Sequence, residues 1–146
     1  MRSVKIRFPV PDSDAVDAEW MWAKRVGDAL FELENAPFHV YGISEGDVFV
    51  AEVVDSVLQF KALQEKRGNR TIRVRFPRGC THADFEQVWD PLAALGCTFE
   101  GSQLDRPLYA ISVPPSASVE AVVAYLSALE DAGTLEYEEA DCGSPE

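Results

Sequence analysis

Glu34-Asn35-Ala36-Pro37-Phe38-His39-Val40-Tyr41-Gly42-Ile43-Ser44-Glu45-Gly46-Asp47-Val48-Phe49-Val50-Ala51-Glu52-Val53 is the stretch on which the reading of this chain turns. Asn35 and Pro37 restrict the backbone, Gly42 and Gly46 supply positions free of Cβ clash, and Gly46-Asp47 ends a turn directly before the β-branched and aromatic run Val48-Phe49-Val50. A turn-forming segment that launches a strand is an architectural signal. It carries no reaction chemistry.

Upstream, Val4, Ile6 and Phe8 alternate with Lys5 and Arg7, as in a strand with one wet face, and Pro9 and Pro11 end it. Asp12 to Asp17 reads as a loop. Trp20 and Trp22 fall on one side of a second strand, and Leu30-Phe31-Glu32-Leu33 makes a third after the turn at Gly27-Asp28. Beyond Val48 to Val54, the alternating piece Val57 to Leu63 pairs with it as a hairpin through Asp55-Ser56. Residues 1–68 therefore read as a small, mostly antiparallel β-lobe. Trp20 and Trp22 are expected to seal its core, with an exposed anchor for a partner as the alternative.

From Thr71 the periodicity changes. Ile72, Val74 and Phe76 alternate with Arg73 and Arg75, and Thr81 with Asp84 resembles a capping box before Phe85, Val88, Trp89, Leu92 and Leu95 at helical spacing. Gly96 stops that helix, and Pro91 is expected to kink or shorten it. Two strands follow, over Cys97 to Glu100 and Leu108 to Val113. Val119, Val122, Val123, Leu126 and Leu129 then line one face of a second helix, capped by Ser116 or Ser118, and Leu135 and Tyr137 mark a last strand. The fold class is α+β, a β-rich N-terminal lobe followed by a ferredoxin-like β-α-β-β-α-β lobe over residues 69–140 and an acidic tail over 141–146. That topology makes the first and last strands antiparallel neighbours. Arg73 and Arg75 would then face Glu136 and Glu138 in a charge ladder, each rung contributing about 0.2–1 kcal/mol.

The combination of Glu19-Trp20-x-Trp22-Ala23 and Asn35-x-Pro37-Phe38, followed by Gly42-Ile43-Ser44-x-Gly46-Asp47-Val48, is similar to the bacterial domain-of-unknown-function family numbered 4265. The likeness runs on through Thr71-Ile72-Arg73-Val74, Val113-Pro114 and Leu135-Glu136-Tyr137. The resemblance implies a bacterial, soluble, single-unit protein. It carries no catalytic residue over to this chain.

Composition bounds the partners. The 146 residues, 47% of them hydrophobic, suffice for one well-packed core. Thirteen Lys and Arg against 25 Asp and Glu give a net charge of −12, which repels nucleic-acid backbones and anionic lipid and favours a basic protein partner. The first residues lack a continuous apolar signal region, and no run approaches the roughly 18 apolar residues of a membrane span, so the cytoplasm is the expected location. Cys80, Cys97 and Cys142 lack framework spacing and read as reduced thiols.

The basic run Lys61, Lys66, Arg67, Arg70, Arg73, Arg75 and Arg78 suggests an anion site when read alone; read with the acidic C-terminal end, it is neutralised within the fold. His39 is a candidate general base, with a hydrogen-bonded turn histidine as the plainer reading. Cys80, His82 and Cys97 could supply three metal ligands but lack a fourth, so no metal is assigned. No dinucleotide-binding glycine motif, P-loop, zinc-protease or nucleophile-elbow motif occurs, and no cofactor or catalytic residue is expected. Two functions follow as expectations. The first is a non-enzymatic protein-binding module of immunity or regulatory type, docking a basic partner through Glu130, Asp131, Glu139 and Asp141. The second is a small-molecule site, sensory or enzymatic, between the lobes, lined by Asn35, His39, Tyr41 and Asp47. Homodimerisation through a sheet edge is compatible with either.

Overall fold

A computed structural model describes residues 2–11, 13–14, 16–102 and 106–143 of the chain. It is an α+β chain of two sheets and two helices, with most of its ordered residues in strands. Of the loop expected over 12–17, residues 12 and 15 lie outside the described residues, as do residues 144–146 of the expected tail, Glu146 included.

The first sheet is a meander of β1 (Ser3–Pro9), β2 (Ala18–Gly27), β3 (Leu30–Leu33), β4 (Val48–Val54) and β5 (Val57–Glu65), closed into a barrel. Consecutive strands are antiparallel, so an odd number brings first and last together running the same way. The closing pair is accordingly parallel, with Arg7 opposite Gln59 and the Arg7 guanidinium donating to Gln59 Oε1 at 2.7 Å. The β4–β5 hairpin turns through Asp55 and Ser56, both at positive φ (50° and 68°), the backbone sense that matches strand twist. Side-chain alternation sends Ile6, Phe8, Met21, Ala23, Phe31, Leu33, Phe49 and Ala51 inward. Phe49 lies within 5.1–5.9 Å of the rings of Phe8, Phe31 and Phe60.

The same alternation corrects the expectation that Trp20 and Trp22 seal this core. Met21 and Ala23 take the inward positions of β2, and an interior already filled by phenylalanine rings has no room for indoles. Trp20 and Trp22 stand outside, 49% and 44% exposed, with the Lys5 ammonium 5.1 Å from the Trp22 ring.

The second sheet is built from β6 (Arg70–Arg75), β7 (Thr98–Ser102), β8 (Leu108–Val113) and β9 (Glu136–Asp141), in the spatial order β7-β8-β6-β9 with every pair antiparallel. Helices α1 (His82–Ala94) and α2 (Val119–Asp131) cover one face. Phe85, Leu92, Val122 and Leu126 pack there on Ile72, Val74, Tyr109, Ile111 and Val113. The Phe85 and Tyr109 rings stack at 3.7 Å, and Gly101 lies under Tyr109 where a Cβ would come within 2.9 Å of the ring. The Asp84 carboxylate accepts from the Thr81 N–H at 2.7 Å, and Ser118 caps α2 by accepting from Ala121 N–H. Pro91 does not end α1. The helix runs on to Ala94, and the Leu95 N–H still finds the Pro91 and Leu92 carbonyls before Gly96 turns the chain at φ 97°.

Strands β6 and β9 are neighbours in the register that sets Arg73 opposite Glu138 and Arg75 opposite Glu136. Only the first rung forms an ion pair, Arg73 Nε to Glu138 at 3.0 Å. Glu136 instead lies 3.6 Å from Arg106, which leaves the loop before β8 and reaches it first. Among the described residues no helix is long and apolar enough to cross a membrane.

The barrel's dependence on its aromatic cluster gives a stability test. Phe49→Ala should lower the unfolding free energy by about 3–5 kcal/mol, whereas Trp22→Ala, on the outer wall, should cost a small fraction of that, both read from urea denaturation.

Candidate functional site

The uncovered face of the second sheet carries Thr71, Arg73, Arg75, Ala110, Ser112, Glu100 and Glu138, and it meets the barrel through the segment 34–47 that joins β3 to β4. That segment leaves the barrel, crosses the sheet and returns. Its shape follows from its residues: Gly42 (φ +80°) and Gly46 (φ +90°) take the positive-φ bends, and Pro37 is buried at the crossing.

Few of its polar groups are left to water. The buried carboxylate of Glu19, on β2, accepts from the backbone N–H groups of Phe38 (2.7 Å), His39 (2.9 Å) and Val40 (3.1 Å). Asn35 bridges the two sheets, its Oδ1 accepting from Trp22 N–H at 2.6 Å and its Nδ2 donating to Glu100 at 3.1 Å. Glu100 also accepts from the Ala36 N–H. Burial pushes the Glu100 carboxyl above its ordinary pKa against the pull of the Ala36 N–H, and the nearby charges of Glu45 and Glu19 add to the rise. The Gly42 N–H donates to Ala140 O at 3.0 Å.

At the far end of the segment, Lys66 inserts its ammonium between Asp47, at 2.7 Å, and Asp141. Asp47 further accepts from Ser44 N–H (2.8 Å) and Arg67 N–H (2.9 Å), while Ser44 Oγ lies 2.6 Å from both Thr71 Oγ1 and Asp141 Oδ2. Burial would lower the Lys66 pKa, but its hydrogen bonds to Asp141 and Asp47, with their charges, outweigh that and hold it above its ordinary value. Among the described residues, no buried side-chain nitrogen or oxygen lacks a partner.

Beside this network the junction opens into a cleft of about 560 Å³. One wall is barrel, with Phe8, Val10 and Phe60; the floor is Phe38 to Tyr41; the other wall is sheet, with Arg73, Arg75, Leu108 and Glu138. Arg73, 3% exposed, donates through Nη1 to Val40 O (3.0 Å) and Pro37 O (3.4 Å), and its guanidinium carbon sits 4.4 Å from the Tyr41 ring centre. Tyr41 Oη donates to the Glu138 carboxylate at 2.9–3.0 Å. Arg73, Tyr41 and Glu138 thus form a closed triad on the rim.

The four residues expected to line one groove are therefore divided. His39 and Tyr41 face the cleft, whereas Asn35 is spent bridging the sheets and Asp47 is fully buried in the Lys66 cluster. The four acidic residues expected at a partner surface divide too. Asp131 and Glu139 are exposed; Glu130 is exposed but accepts from the Tyr137 N–H at 3.1 Å; Asp141 is buried against Lys66. Much of the basic run is neutralised: Lys61 pairs with Glu52, Lys66 with two aspartates, Arg67 with Glu65 and Arg73 with Glu138. Cys80 and Cys97 pack into the helix-covered core, where burial pushes the Cys97 thiol up, and His82 Nδ1 lies 3.1 Å from Tyr109 Oη. Among the described residues no three His, Cys, Asp or Glu side chains are grouped to hold a metal ion. Glu19 and Glu100 are not among the site residues expected from the sequence, where Glu19 figures only as the first residue of a family-like motif. A carboxylate on the inward face of a strand, as Glu19 is on the side of β2 that carries Met21 and Ala23, is the available signal.

Two outcomes follow from the network. Lys66→Met leaves two buried carboxylates uncompensated and should cost about 3–5 kcal/mol, while Arg67→Met, a surface pair, should cost under about 1 kcal/mol by the same denaturation measurement. For Glu100, whose folded pKa exceeds its unfolded value, the folded state binds the extra proton. Stability contributed by Glu100, measured as native protein against Glu100→Gln, should fall as pH rises from about 4.3 through the raised folded pKa, with carboxyl-carbon NMR locating the titration.

A model of a family described as a domain of unknown function, DUF4265, matches residues 19–137, and the chain belongs to that family. No curated protein matches it. The chain is similar to a solved structure described as a novel crystal structure of a hypothetical protein from Neisseria gonorrhoeae, with a TM-score of 0.76 and 17% identity over 98% of this chain and 96% of that one. At that identity the likeness is one of fold.

Proposed function

We propose that this family member is a small-molecule-binding module, bacterial and cytoplasmic, whose site is the cleft between a β-barrel lobe and a ferredoxin-like lobe. The ferredoxin-like reading is supported by the order β7-β8-β6-β9 with a helix after β6 and another after β8. One observation carries the functional reading: a cleft of about 560 Å³ draws its walls from both lobes and its floor from the segment that ties them. Small-molecule sites favour such junctions, in this size range, with apolar walls and a few oriented polar groups. Here Phe38, Phe60 and Leu108 supply the apolar area, and His39, Tyr41 and Arg75 the polar ends. The rim triad is mutually satisfied, so it favours a rigid receptor over a general acid–base pair.

A second reading, the protein-binding module of immunity or regulatory type, is favoured by the exposed carboxylates Glu130, Asp131 and Glu139 around the end of α2 and on β9, in a chain of net charge −12. A basic partner would then associate at a rate falling steeply with salt. Stopped-flow association at low and high ionic strength checks this, and a salt-independent rate removes it.

The cleft reading is tested by a metabolite thermal-shift screen followed by NMR mapping on the full chain. Hits should move resonances of both β1 and β6, and His39→Trp, which fills the cleft while keeping the backbone N–H held by Glu19, should abolish the shifts. Hits that survive His39→Trp, or a screen without any, would count against the cleft.

A further inference from the structure

We infer that the cleft selects a singly charged carboxylate with an aromatic or aliphatic body, its acid group held by Arg75 beside His39; this rests on the cleft being a binding site. Three charged side chains face it, Arg73, Arg75 and Glu138, together with the imidazole of His39. Arg73 is spent, with Nε on Glu138 at 3.0 Å, Nη1 on two backbone carbonyls, and its flat face on Tyr41. Glu138 is spent on Arg73 and the Tyr41 hydroxyl. These two charges cancel.

Arg75 is different. It lies two residues further along β6 on the same face of the sheet, is exposed, and among the described residues its side chain makes no hydrogen bond or ion pair. Its strand partner Glu136 is turned to Arg106 at 3.6 Å. One cationic fork is thus left uncompensated at the edge of an apolar cleft, in a chain that elsewhere has an excess of negative charge. A guanidinium presents parallel N–H donors that match the two oxygens of a carboxylate. His39 faces the same space, and its ring makes no bond to the described residues while its backbone is fixed by Glu19. On the opposite wall the half-buried Phe60 ring, backed by the buried Phe8 ring at 5.1 Å, offers an apolar surface for the ligand's body. The net charge of −12 sets the upper limit on ligand charge, since its field penalises each further negative charge. A polyphosphate is therefore disfavoured and a monoanion tolerated.

The probes are benzoate, phenylacetate, indole-3-acetate and hexanoate, each against its neutral amide, with phenyl phosphate as the dianionic arm. They are titrated at millimolar concentration into the full chain and followed by NMR. At least one acid should bind saturably and move the Arg75 side-chain, His39 and Phe60 signals, with its amide weaker by about tenfold or more. Arg75→Gln should shrink that acid-to-amide ratio to below about threefold, and Lys61→Gln, a surface control, should leave it unchanged. An amide binding as tightly as its acid overturns the charge selection while the cleft stands, and phenyl phosphate binding tightest overturns the limit on charge. If none of the acids or amides moves a cleft signal, the inference and the binding reading beneath it both fall.

Discussion

The junction depends on one ammonium group. Lys66, just past the end of β5, lies between Asp47, which precedes β4, and Asp141, which ends β9, with Ser44 and Thr71 completing the contacts. These residues come from the barrel, the crossing segment and the sheet. An ion cluster this deep gains little net free energy over an apolar packing of the same volume, because desolvation opposes the attraction. What it does enforce is geometry. Any relative shift of barrel and sheet strands a charge away from water, so misregistered arrangements are penalised far more than the correct one is rewarded.

That constraint bears on the cleft. Its floor, Phe38 to Tyr41, is held from the barrel side by the Glu19 carboxylate on three successive N–H groups and from the sheet side by Arg73 on two carbonyls. A floor pinned from both directions keeps the side chains above it in fixed positions, which reduces the ordering cost of binding. The polar network and the cleft are neighbours for this reason: the groups that tie the barrel to the second sheet also define the space between them.

The strands and helices were legible because each segment carried its own period, two for Val4 to Phe8 and Ile72 to Phe76, and near 3.6 for Phe85 to Leu95 and Val119 to Leu129. Proline and glycine marked their ends. The pairing of β6 with β9 followed from element order, and with it a ladder of Arg73 and Arg75 beside Glu136 and Glu138, of which the Arg73–Glu138 ion pair forms and Glu136 turns to Arg106. The junction was not legible. Nothing local distinguishes Asp47 as an ion-pair partner from Asp47 as a turn residue, since its counter-charge arrives from Lys66, nineteen residues later, which it shares with Asp141 of the last strand. The outward placement of Trp20 and Trp22 escapes the sequence for a related reason. Alternation states that two tryptophans share a face, and only the filled interior of the closed barrel decides which face is outside. Barrel closure itself depends on a single long-range register, Arg7 with Gln59, that no local pattern encodes.

The span of the junction contacts along the chain has a consequence for how the protein is made. Tyr41 meets Glu138 and Ser44 meets Asp141 across 97 residues each. During synthesis the barrel strands and segment 34–47 leave the ribosome long before β9 exists, and domains begin to fold as they emerge. Until β9 is delivered, Lys66 has Asp47 alone, Tyr41 lacks its carboxylate acceptor, and the Gly42 N–H has no Ala140 carbonyl. The nascent barrel therefore waits with its crossing segment unlatched, and the final strand acts as the bolt. A pause in translation before residue 136 would prolong that open form, and with it the exposure of the chain to proteases and to mispairing.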